Sequence, residues 1–209
     1  MSEVRVISTP VGDARLHTDR SRHPVAALAL GHGAGKGVEA PDLVALAAAL
    51  PAQGVSVYRI EQPWVVAGKK VAPRPETLDV ATISCLNAIR VRRPLVVGGR
   101  SAGARSACRL ARSMGAVACL ALAFPLHAPG RPESTRLPEL LGADVPTLVV
   151  QGERDPFGTP EEFPESIELV VIPEADHGFA VPARSALDRE QVLALVVEAV
   201  VEWVTTRVA

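Results

Sequence analysis

The sequence predicts an α/β protein, with a mostly parallel sheet sandwiched between helices as three layers. Three observations predict it. Residues 25–30, 95–97 and 117–124 are apolar at every position, as strands covered on both faces must be. Helix-period segments alternate with these runs. The length, 209 residues with 48% apolar, suits a single domain over 1–209 with a sizeable core. Aromatics make up only 3%, so Ala, Val and Leu must fill that core.

The elements follow in order. Residues 4–8 and 14–18 read as two strands joined by the turn Pro10-Val11-Gly12-Asp13, and with no helix between them they suit an antiparallel edge. Residues 25–30 form a strand that runs directly into glycines. Residues 41–52 read as a helix with Pro41 at its start and Leu43, Leu46, Ala47 and Leu50 on one stripe. A strand over 55–60 leads into an irregular Pro-containing stretch, 61–74. Helices over 76–91 and 101–114 flank a strand at 95–97. A strand over 117–124 precedes a Pro-rich loop with a short helix near 134–141. Strands over 147–150 and 168–172 come last. The final helix spans 185–207, with Val192, Leu195, Val196, Ala199 and Trp203 on one face.

Composition excludes several functions. A net charge of −1 argues against a basic nucleic-acid surface. No run reaches the roughly 18 apolar residues that cross a bilayer. The opening residues lack a signal-peptide pattern, and Cys85, Cys108 and Cys119 lie in apolar, regular segments. A cytoplasmic protein with reduced thiols is expected, without disulfides or a metal site.

Gly99-Arg100-Ser101-Ala102-Gly103 is a G-x-S-x-G between a strand and an Ala-rich helix. A nucleophilic Ser on so sharp a turn needs neighbours too small to clash, and the helix start behind it favours developing negative charge. Ser Oγ also needs a base, and the base an orienting carboxylate. In this architecture the chain order is Ser, acid, His. Only His127 and His177 follow Ser101. Asp155 lies just past the strand over 147–150, where sites collect in open sheets, and only His177 follows it. The order therefore allows Ser101, Asp155 and His177, with Glu153 as an alternative acid. Asp176 reads as a turn residue.

Gly31-His32-Gly33-Ala34-Gly35-Lys36-Gly37 follows a strand. A phosphate loop would need Gly at Leu30 and Ser or Thr at Gly37, and both fail. A dinucleotide fingerprint can be laid on Gly35, Gly37 and Ala40, but it leaves the serine motif unexplained. An oxyanion hole needs one N–H from the residue after the nucleophile, Ala102, and one from this loop, Ala34 or alternatively Gly35. His32, Trp64, Arg100, Leu126, His127 and Phe157 are candidate substrate contacts.

Together these residues resemble the α/β-hydrolase superfamily over nearly the whole chain. More narrowly, the sequence is similar to a small, dienelactone-hydrolase-like branch that includes a subunit of the non-specific lethal chromatin complex. The supporting stretches are Gly31-His32-Gly33-Ala34-Gly35, Glu61-Gln62-Pro63-Trp64, the serine motif, Phe124-Pro125-Leu126-His127-Ala128-Pro129-Gly130, and the ten residues from Gln151 to Pro160. The resemblance implies about eight strands, the second antiparallel, and a Ser-Asp-His triad. Dienelactone hydrolases proper use Cys where this chain has Ser101, so their substrate is not carried over.

The expected function is hydrolysis of an ester or related acyl bond in a small-molecule substrate, with no metal or organic cofactor and no nucleic-acid or membrane partner. The stretch between the strands at 117–124 and 147–150 is too short for a large cap domain. The chromatin relative supplies the alternative, a non-catalytic interaction or scaffold module on the same fold.

Overall fold

In the computed structural model, which describes residues 3–35, 37–89 and 93–208, eight strands form one sheet. They are β1 (Glu3–Thr9), β2 (Gly12–Asp19), β3 (Ala26–Gly31), β4 (Val55–Glu61), β5 (Leu95–Arg100), β6 (Ala118–Leu122), β7 (Thr147–Gly152) and β8 (Glu168–Ile172). Their order across the sheet is β1-β2-β4-β3-β5-β6-β7-β8. β2 is antiparallel to both neighbours, and every pair from β4–β3 to β7–β8 is parallel. The helices are α1 (Pro41–Ala49), α2 (Pro63–Val66), α3 (Pro75–Ala88), α4 (Ala102–Leu110), α5 (Leu137–Leu141) and α6 (Arg189–Val208). This is the expected α/β-hydrolase architecture without a large cap. Among the described residues, no helix is long and apolar enough to cross a membrane.

The uniformly apolar strands divide their side chains between two cores, because successive residues point to opposite faces. Leu28, Leu30, Val96, Leu120 and Leu122 meet α1 and α6 on one face. Ala27, Ala29, Val97, Cys119 and Ala121 meet α3 and α4 on the other. The large residues therefore face α1 and α6, and the small ones let α4 lie close to the sheet. The three cysteines are buried and unbridged.

Several boundaries differ from the sequence reading. α1 ends at Ala49 because Pro51 has no N–H to continue it, and residues Leu50–Gln53 tighten into a 3₁₀ turn. α6 begins at Arg189 rather than 185. Asp188 accepts a bond from the Gln191 N–H at 2.9 Å, and the Gln191 side chain accepts from the Asp188 N–H at 2.8 Å, a reciprocal cap. Its buried face is Val192, Val196, Val200, Trp203 and Val204, leaving Leu195 and Ala199 half-buried. The stretch expected to be irregular at 61–74 contains the single turn α2, which starts on Pro63. The helix expected to reach residue 91 ends at Ala88, with Ile89 already extended; residues 90 and 91 lie outside the described residues, as does Lys36.

Because β3 to β8 run parallel, their carboxyl ends share one rim. The glycine loop after β3, Ser101 after β5, Asp155 after β7 and His177 after β8 all emerge there.

Candidate active site

Ser101 stands between β5 and α4 with φ +52°, a conformation costly for any residue but glycine. Close packing holds it there. A Cβ on Gly103 would fall 2.3 Å from the Gly31 carbonyl oxygen, and one on Gly99 would fall 2.5 Å from the Gly103 carbonyl carbon. Three backbones thus meet where no side chain fits. The Ser101 N–H also donates to the Leu122 carbonyl at 2.9 Å. The glycine loop leans over the serine, since a Cβ on Gly33 would stand 3.3 Å from that of Ser101.

His177 Nε2 lies 2.9 Å from Ser101 Oγ, and its Nδ1 lies 2.8 Å from Asp155 Oδ2. The carboxylate accepts, so Nδ1 carries the hydrogen and Nε2 is left to accept from the serine hydroxyl. Asp155 is fully buried. Its Oδ1 accepts the Phe157 N–H at 2.8 Å, and its Oδ2 also accepts from Gln151 Nε2 at 2.9 Å. The other acid weighed, Glu153, is exposed and accepts the Glu174 N–H. Asp176 turns its carboxylate onto the N–H groups of Gly178 and Ala180.

Ala34 and Ala102 line one small cleft with His32, Trp64 and Leu78. The His32 ring is buried and fully used. Nε2 accepts the Gln62 N–H at 3.1 Å, so Nδ1 carries the hydrogen and donates to the Gly33 carbonyl at 2.7 Å. Burial pushes its pKa down, consistent with a neutral ring. His32 therefore ties the glycine loop to the end of β4.

The remaining expected substrate contacts divide. Phe157 packs its ring 4.2 Å from that of His177, and Trp64 walls the cleft. Leu126, His127 and Arg100 are turned inward instead. Leu126 is buried against Gly158. His127 donates from Nδ1 to the Ala128 carbonyl at 2.9 Å and from Nε2 to Glu162 at 2.8 Å. The Ala128 bond, then the Glu162 carboxylate, raise its pKa. Arg100 donates to the His177 carbonyl at 2.5 Å, approaches Asp42 at 3.5 Å and lies over the Phe179 ring.

Gln151 is the site residue that the sequence reading missed. It is fully buried, and besides Asp155 it bonds the Gly158 carbonyl and the Phe124 N–H, each at 2.9 Å. The signal is a lone amide directly after the apolar run 148–150 of β7.

No curated protein matches the sequence. Solved structures match the fold. A serine hydrolase without a lid from Xanthomonas campestris superposes with a TM-score of 0.74 at 18% identity, covering 99% of this chain and 94% of that one. Est1E from Butyrivibrio proteoclasticus gives 0.74 at 16%, with 98% of each chain covered. A dienelactone hydrolase from Anabaena variabilis gives 0.75 at 18%, covering 99% and 97%. At the level of sequence, residues 24–205 match the family described as alpha/beta hydrolase domain, and the chain belongs to it.

Proposed function

We propose that this alpha/beta hydrolase is a serine hydrolase that cleaves an ester or related acyl bond in a small molecule. The observation that carries the reading is the bridge of His177 between Ser101 Oγ and Asp155 Oδ2. As Oγ attacks the carbonyl carbon, its proton passes to His177 Nε2 and the carbonyl π electrons move onto oxygen. Asp155 keeps the ring oriented and stabilises the imidazolium. The N–H groups of Ala34 and Ala102 receive the oxyanion, at about 3–4 kcal/mol per donor. Collapse expels the alcohol, which takes the proton from Nε2. Water, deprotonated by the same nitrogen, then releases the acid and restores Ser101.

Lidless and esterase-named structural neighbours support the reading at the level of the fold. The test is labelling by a fluorophosphonate together with hydrolysis of p-nitrophenyl acetate. Both are expected for the native chain, and Ser101→Ala should abolish labelling and lower turnover by up to about 10⁶-fold. A folded native chain inert to both would overturn the reading and favour the interaction module suggested by the chromatin-complex resemblance.

A further inference from the structure

The rim that carries Ser101 continues past β3 to β4 and β2. There the β1–β2 turn, α2 and the first turn of α3 enclose a cavity of about 400 Å³, within the range of small-molecule pockets. Its walls are mainly apolar: Val11, Pro63, Trp64, Val66, Val71 and Pro73. Two of these are unusually open to solvent, Val11 at 38% and Val71 at 81% exposure, so an apolar occupant would cover surface that water now touches.

Trp64 and Gln62 belong both to this cavity and to the cleft that holds Ala34 and Ala102. Trp64 is the wall between them. Its ring is buried at 8% exposure, yet its Nε1–H has no acceptor among the described residues. Buried donors are nearly always paired. This one leaves the ring without a polar anchor, so turning it breaks no indole hydrogen bond.

Spacing sets the ligand. β5, β3 and β4 are successive neighbours, and at about 4.8 Å per step the end of β4 lies roughly 10 Å from that of β5. An acetyl group bound at Ser101 cannot cover that span, whereas an extended chain of about eight carbons can.

We propose that this cavity receives the apolar chain of a medium-length acyl ester whose carbonyl sits at Ser101, with Trp64 turning to admit it. The proposal rests on the serine-hydrolase reading and names its substrate class. Val66 is half-buried in the cavity wall, and Val66→Phe fills the space. The ratio of kcat/KM for p-nitrophenyl octanoate over p-nitrophenyl acetate should fall about tenfold or more. Val71→Asp, at an exposed position, should move the same ratio in the same direction if the first variant fails to fold. An unchanged ratio in the folded variants overturns the proposal.

A second readout needs no turnover. The chain has two Trp and one Tyr, so Ser101→Ala with Trp203→Phe leaves Trp64 as the sole tryptophan, excited selectively at the red edge of its absorption where Tyr58 does not absorb. Sodium decanoate should change its emission saturably, and Val66→Phe should suppress the change. Absence of any response overturns the cavity. A saturable response in a protein whose native form cleaves no ester would retain the cavity and sink the hydrolase reading instead.

Discussion

Ser101 and His177 face each other across 2.9 Å, yet the chain holds them by opposite means. Ser101 is fixed by packing, in a junction where Gly31, Gly99 and Gly103 touch backbone to backbone. His177 sits on a loop after β8 and is fixed by polar bonds, from Asp155 at its ring and from Arg100 at its carbonyl. The acid is held likewise, by Gln151 and the Phe157 N–H. Packing tolerates no added atom, whereas a polar network tolerates changes of shape but not the loss of a partner. The serine half should therefore fail through added volume, and the histidine half through lost hydrogen bonds.

The largest expected effect tests the packed half. Gly103→Ala would place a Cβ 2.3 Å from the Gly31 carbonyl oxygen and should cost about 3 kcal/mol or more, lowering Tm by roughly 6–12 °C in calorimetry. Gly35→Ala is the control, since nothing lies within 4 Å of its added carbon; its Tm should hold or rise slightly. Equal losses at both glycines would break the packing account.

Next comes Gln151→Met, which keeps the volume but strips the amide. The Phe124 N–H and the Gly158 carbonyl lose their partner at about 1–3 kcal/mol each. Chemical denaturation should show the loss, with kcat falling as Asp155 loses its lateral bond. A variant as stable and active as the native chain would remove Gln151 from the positioning network.

Arg100→Lys keeps a cation beside Asp42 but loses the planar fork that also reaches the His177 carbonyl. Steady-state kinetics should show kcat falling about 10- to 100-fold with KM little changed. A drop in Tm with kcat intact would make Arg100 merely structural.

The smallest effect separates two histidines that both spend both ring nitrogens. His32 is neutral with its pKa pushed below the ordinary 6.5 by burial. In the window below 6.5 the unfolded chain binds the extra proton, so this residue makes stability fall with acidification. His127 has its pKa raised above 6.5, first by the Ala128 carbonyl. Its contribution is complete below 6.5 and is lost as pH rises through the folded value. Tm profiles should therefore steepen on opposite sides of 6.5. His127→Gln should flatten only the alkaline side, and an unchanged alkaline limb would show that the clip to Glu162 does not titrate.

Chain order and local pattern made legible which three side chains meet at the candidate site. Ser101 stood in a five-residue motif, and Asp155 and His177 were named by their places after strands. The inward turn of Arg100 and His127 was not legible, because a polar residue beside a motif looks the same whether it faces substrate or protein. Arg100 finds its partners on α1 and the loop after β8, 58 and 77 residues away in sequence. The start of α6 was misplaced because the reciprocal cap of Asp188 and Gln191 outweighed the weak helical pattern before it.

By itself the sequence determined the alternation of buried strands and helices and the glycine-lined serine turn, since both follow from side-chain size and periodicity within a few residues. Only the tertiary structure decided which polar groups meet. A hydrogen bond requires two atoms to arrive within about 3 Å, and for Gln151, Arg100 and His32 that arrival depends on the register of strands brought together across the whole sheet.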